Sequence, residues 1–213
     1  MIQAPAARLV LAGLFALALA SCAAVPSTEE GPPLAVRTEL YESRHAALTA
    51  FDRWSMDGRL AVSDSEDGGS GKLEWRKQPD LSELDFRGAL GRGAWQLDIR
   101  PGHAVLSLGT GETFEAPEVS ELVQNHVGWH IPVGALEWWI RGLAEPQGKA
   151  EHSLDEAGRI TQLSQYGWTV EYDRYKEFSG IQLPTKIEAR KGARLVKLIM
   201  REWSFSSTPE HDS

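Results

Sequence analysis

The sequence predicts an α+β chain: a half-open, unclosed antiparallel β-barrel of about ten strands with a lid of three helices. Three observations predict it. Apolar and polar residues alternate through much of the chain; Trp95, Leu97 and Ile99 interleave with Gln96 and Asp98, the mark of a sheet with one buried face. Short runs of turn-forming residues separate these segments, and short connections join antiparallel neighbours. Helical periodicity does not alternate with strands one by one, which argues against doubly wound and TIM-barrel folds. A long antiparallel sheet curls and needs one face covered, and the amphipathic helices can provide that cover.

The first helix is predicted over residues 34–54. Pro32-Pro33 suits its start, and Val36, Leu40, Ala47, Leu48, Phe51 and Trp54 fall on one stripe. The period then changes, and strands are predicted over 56–62, 72–75, 81–86, 94–100 and 103–108. Asp67-Gly68-Gly69-Ser70-Gly71, Gln78-Pro79-Asp80, Pro101-Gly102 and Gly109-Thr110-Gly111 supply the turns. Pro117 opens a short helix with Val119, Leu122, Val123 and His126 on one face and Gly128 after it. Pro132 opens the next, with Leu136, Trp139, Ile140 and Leu143 apolar and Gly142 near its end. Strands resume over 149–154, 159–164, 168–172, 183–189 and 194–203, punctuated by Asp155-Glu156-Ala157-Gly158, Ser179-Gly180 and Lys191-Gly192. There is no internal repeat.

The N-terminus reads as an export signal. Arg8 is followed by an apolar run over residues 9–20. Twelve such residues make a helix of roughly 18 Å, too short to span a bilayer, which needs about 20 residues. The run ends in Leu19-Ala20-Ser21-Cys22, a branched apolar residue, two small ones and a cysteine, the pattern of a lipobox. Cys22 is the only cysteine, so no intramolecular disulfide competes for its thiol. The expected organisation is a signal peptide over 1–21, a lipidated flexible tether over 22–33, one domain over 34–205 and a polar tail over 206–213. An ordinary signal peptide with a chance cysteine is the plainer alternative. Ala23, rather than Asp, follows the cysteine; by analogy with bacterial lipoproteins, this implies sorting to the outer membrane.

Loss of the leader removes Arg8 and leaves 21 basic against 30 acidic side chains. That balance argues against nucleic acid, which selects clustered Lys and Arg. The segment Gly68–Lys72 resembles a phosphate loop only superficially. Leu73 stands where Ser or Thr would bind magnesium, Glu66 replaces the first glycine, and a strand rather than a helix follows; a hairpin turn is the expected reading. His126 and His130 are four apart, but Gly128 and Trp129 break a shared helix, and HExxH is absent, so no metal site is expected. No GxSxG nucleophile occurs. The reading is of a protein that is not an enzyme and carries no cofactor.

The eight tryptophans fit either an aromatic-rich core or a roomy apolar cavity for a long-chain ligand. The segment Arg87-Gly88-Ala89-Leu90-Gly91-Arg92-Gly93 places a leucine mid-loop between glycines, with arginines flanking. Such a leucine either enters a membrane interface beside its cations or folds back beneath its own loop.

Three segments together resemble the LolB family of outer-membrane lipoprotein receptors: Gly88-Ala89-Leu90-Gly91; Gly128-Trp129-His130-Ile131-Pro132 with Leu136-Glu137-Trp138-Trp139-Ile140-Arg141-Gly142-Leu143; and Gly167-Trp168-Thr169-Val170-Glu171-Tyr172 with Leu183-Pro184 and a final strand to Trp203. Asp57-Gly58-Arg59-Leu60-Ala61-Val62 is similar too. Order and spacing carry the likeness, from about Phe51 to Trp203. It implies an unclosed barrel with a helical lid, acceptance of client lipoproteins from the periplasmic carrier LolA through their acyl chains, and release into outer-membrane phospholipid. It also implies that Leu90 is the membrane-insertion residue of the loop Gly88, Ala89, Leu90, Gly91. Family loops often carry Pro before that leucine; Ala89 here leaves the backbone dihedral unfixed, so the tip is expected to be less firmly presented. Expected cavity residues are Trp75, Leu84, Phe86, Leu97, Ile99, Leu122, Leu136, Trp139 and Ile140, in a monomer. The rival readings are a structural lipoprotein of an envelope assembly and a periplasmic hydrolase on a lipid scaffold.

Overall fold

The computed structural model describes residues 31–64, 68–89 and 93–206. Among the described residues, three helices, α1 (Leu34–Thr49), α2 (Val119–Val127) and α3 (Val133–Trp139), accompany eleven strands. These are β1 (Arg53–Ser63), β2 (Gly68–Gln78), β3 (Leu81–Gly88), β4 (Trp95–Arg100), β5 (His103–Leu108), β6 (Thr113–Ala116), β7 (Ala150–Leu154), β8 (Ile160–Gln165), β9 (Trp168–Phe178), β10 (Ile181–Lys191) and β11 (Arg194–Ser206). All eleven form one sheet in the order β6-β5-β4-β3-β2-β1-β11-β10-β9-β8-β7. Every pairing is antiparallel. Two meanders meet where β1 pairs with β11, from Arg53 opposite Ser206 to Ser63 opposite Leu195. β6 and β7 end the sheet, so the curled barrel is unclosed, as the sequence predicts.

Alternation decides which face turns inward. Trp54, Met56, Leu60 and Val62 of β1 are buried, and so are Leu73 and Trp75 of β2 and Leu84 and Phe86 of β3. The same register carries Leu97, Leu106, Leu163, Val170, Leu183, Ile187 and Leu198 into one cluster on the concave side. Burying each such side chain contributes about 1.5–3 kcal/mol. α2 and α3 close over this cluster through Leu122, Val123, Leu136 and Trp139.

Four sequence expectations need correction. α1 ends at Thr49 rather than Trp54, because pairing with both β2 and β11 draws Arg53 and Trp54 into β1. Its buried residues are Tyr41 and Leu48, whereas Val36 and Leu40, expected on the buried stripe, are each 43 % exposed. Arginines supply the missing cover: Arg44 bonds the Arg141 carbonyl and stacks over Tyr175, and Arg37 bonds the Leu154 carbonyl. A pattern of apolar letters does not register such amphipathic packing. Next, Gly68–Lys72 is the start of β2 and not a hairpin turn. Finally β6, four residues with a glutamate, was too short to register as a strand.

Candidate functional site

An open cavity of about 660 Å³ lies between α2 and the β2–β5 part of the sheet. Phe86, Trp95, Leu108, Val127 and Trp129 give it apolar walls, and His126 and Thr110 stand in the lining. Register explains the first three: Phe86 is opposite Trp95 across β3 and β4, and Trp95 is opposite Leu108 across β4 and β5. The rings of Phe86 and Trp95 stack at 5.2 Å. Trp129 stands edge-on to both, at 5.0 Å and 6.0 Å.

Local chain chemistry places Trp129. α2 ends at Gly128, whose φ of 80° is the left-handed conformation a helix terminus of this kind requires. The Gly128 N–H donates to the Gln124 carbonyl, and the Trp129 N–H donates to the Val123 carbonyl six residues back. That turn aims the indole at β2, where glycines make room for it. A Cβ on Gly69 would stand 2.8 Å from the Trp129 ring, and one on Gly71 would strike the Arg87 carbonyl and the Phe86 ring. The glycine run of β2 is thus a flat wall against aromatic side chains. His126 stacks on Phe114 at 3.6 Å, fastening the end of α2 to β6.

Of the expected cavity residues, Phe86 lines this cavity. Trp75, Leu84, Leu97, Leu122, Leu136, Trp139 and Ile140 lie in the buried cluster, and Ile99 packs against it. Gly88 ends β3, and it and Ala89 line the cavity at its mouth. Cys22, Leu90 and Gly91 lie outside the described residues. Sequence reasoning missed Trp95, Leu108, Val127, Trp129 and the glycine wall. The signal for Trp95 was its alternation with Leu97; for Trp129 it was the glycine on its N-terminal side.

Polar groups bind the helical cover to the sheet. Gln165, at the end of β8, accepts from the Trp139 indole at 2.9 Å and the Glu145 N–H at 3.0 Å. Its amide donates to the Glu145 and Gly148 carbonyls at 2.7 Å and 3.1 Å. Two residues before Trp139, Glu137 pairs with Lys77 of β2 at 3.2 Å and accepts from Ser82 of β3 at 3.5 Å, and Ser82 in turn accepts from the Trp75 indole at 2.8 Å. Arg141 is buried with its guanidinium over Trp138 and Trp54, donating to the Glu137 and Leu48 carbonyls. Burial pushes its pKa below the usual arginine value, with Glu137 acting in the opposite sense. Among the described residues no three His, Cys, Asp or Glu side chains gather in a metal-binding group.

An unclosed antiparallel barrel with a helical cover and an open apolar cavity is a container, and the same fold occurs in a LolA-superfamily protein from Nitrosomonas europaea. The two superpose with a TM-score of 0.51 at 8 % identity, over 81 % of this chain and 94 % of that one. The family model for "Outer membrane lipoprotein LolB" matches residues 52–203. An outer-membrane lipoprotein LolB of Alkalilimnicola ehrlichii is 34 % identical over 93 % of this chain and 98 % of its own. Another, from Pseudomonas fluorescens Pf0-1, is 38 % identical over 73 % of this chain and 76 % of its own. The chain belongs to the LolB family.

Proposed function

We propose that this protein is a lipoprotein receptor anchored on the periplasmic face of the outer membrane through acyl chains on Cys22. It takes the acyl chains of client lipoproteins from a soluble carrier, LolA, and releases them into the outer membrane. The observation that carries this reading is the open cavity of about 660 Å³ faced by Phe86, Trp95 and Trp129. Family membership supports it. A lipid chain loses about 0.8 kcal/mol for every methylene that leaves an apolar setting for water, so cargo must cross the periplasm covered. A cavity lined by aromatic and aliphatic side chains covers it, and transfer runs downhill when the bilayer is the better apolar setting. The chemistry needs no cofactor.

The same reading assigns residues 1–21 to a cleaved signal, 22–33 to the tether, 34–205 to the receptor domain and 206–213 to a polar tail. Leu90 then delivers the cargo: Gly88 and Ala89, which lead toward it, line the cavity mouth. The protein works as a monomer.

The test is transfer from a purified LolA–lipoprotein complex to the soluble chain lacking Cys22, followed by addition of liposomes. Cargo should move to the chain and then to the vesicles. A Leu90→Glu variant should still accept cargo but release it poorly, because a carboxylate must shed water to enter the interface. Cargo that stays on an active carrier in the presence of folded chain would refute the receptor reading.

A further inference from the structure

Three of the five exposed large apolar side chains among the described residues sit in the first seven residues of α1: Leu34 at 65 %, Val36 at 43 % and Leu40 at 43 %. Val36, Leu40, Ser43 and Ala47 follow one another at helical spacing, and none is charged. This stripe faces away from Tyr41 and Leu48, the buried side of the helix. It leads into a groove of about 300 Å³ walled by Ala47, Phe51 and Ile181, with Arg44 and Arg159 at its side. Arg159 pairs with Asp155 at 2.7 Å. The Nε of Arg44 has no hydrogen-bond partner among the described residues, and burial together with Arg159 lowers the Arg44 pKa. Arg44 donates to the Arg141 carbonyl and its Nε is buried, so what the pair offers is charge: two guanidinium groups against one carboxylate beside an apolar trough favour the phosphate layer of a phospholipid surface.

Position says which lipid. α1 lies along the rim of the barrel that carries the β7–β8 turn. Arg37 bonds the Leu154 carbonyl, a Cβ on Gly158 would strike Leu40, and Phe51 packs on Phe205 at the end of β11. The cavity opens at the opposite rim, between Gly88, Gly93 and Gly109. Leu34 follows Cys22 by twelve residues. Twelve residues reach at most about 40 Å, so acyl chains on Cys22 keep the start of α1 within that distance of their own bilayer.

We propose that the exposed stripe of α1 and its groove rest on the phospholipid surface that holds the Cys22 acyl chains, turning the cavity mouth outward to meet incoming cargo. The inference rests on the reading of Cys22 as acylated. β9 and β10, eleven residues each, run about 35 Å along the barrel. The tether is therefore long enough for the domain to turn over and present its mouth to the same bilayer.

The experiment uses the full acylated chain in phosphatidylethanolamine–phosphatidylcholine vesicles. A single environment-sensitive fluorophore is placed through Val36→Cys, or through Lys191→Cys at the end of β10 on the opposite rim. Spin-labelled phospholipid should quench the probe at 36 severalfold more than the probe at 191, and Leu40→Glu should abolish the difference. Equal quenching at both positions, or none at either, on chain whose Cys22 carries its acyl groups overturns the contact and leaves the receptor reading standing. Mass spectrometry of the mature chain reports that acylation separately. An unmodified Cys22 overturns the anchor and this contact together.

Discussion

At the scale of single residues, the cavity depends on what is missing from β2. Gly69 has no side chain, so the Trp129 ring lies against the strand, with 2.8 Å between the ring and the place a Cβ would take. Gly69→Val should push Trp129 from its seat beside Phe86 and Trp95. The expected cost is about 1–3 kcal/mol in urea unfolding, the range for overpacking, with reduced uptake of a fluorescent fatty acid. Unchanged stability and uptake would mean that Trp129 has room to spare. The run Gly68–Lys72 was visible in the sequence, but its purpose was not: turn and flat wall use the same residue, and only the indole opposite tells them apart.

At the scale of elements, the helical cover hangs on few polar bonds. Gln165 alone serves four partners, two on each side of its amide. Gln165→Leu keeps the bulk but strands the Trp139 indole, the Glu145 N–H and two carbonyls. Each buried group left unpaired costs about 1–3 kcal/mol, so the loss should exceed that of an ordinary core substitution. Urea unfolding measures it, and a loss under about 1 kcal/mol would show that water takes over these bonds. The strands and both short helices were legible because period and turn chemistry agree at Pro101-Gly102, Pro117 and Pro132. α1 was legible as a helix but not in its facing. Its contacts run through Arg37, Arg44 and Tyr41, and a hydrophobic pattern counts arginine as solvent-facing. The cavity residues were the least legible. Trp75 and Phe86 alternate inward alike, yet one is packed shut and the other faces open space, which depends on where α2 stops over the sheet.

At the scale of the whole molecule, stability should fall from the centre of the sheet to its ends. β1 is paired along its length on both sides, with β2 and with β11. β6 and β7 are short and paired on one side only. Amide hydrogen exchange should be slowest in β1 and β11 and fastest in β6 and β7; uniform protection would contradict this ordering. The free edges have a further consequence. In a closed barrel the number of strands and their stagger fix the bore. This barrel is a sleeve with a slit: a few degrees of added twist at each ladder widen or narrow it without breaking a hydrogen bond. In the proposed receptor, such a change of curvature carries α2 and the β2–β5 wall of the cavity with it, so one container would suit passengers with different numbers of acyl chains.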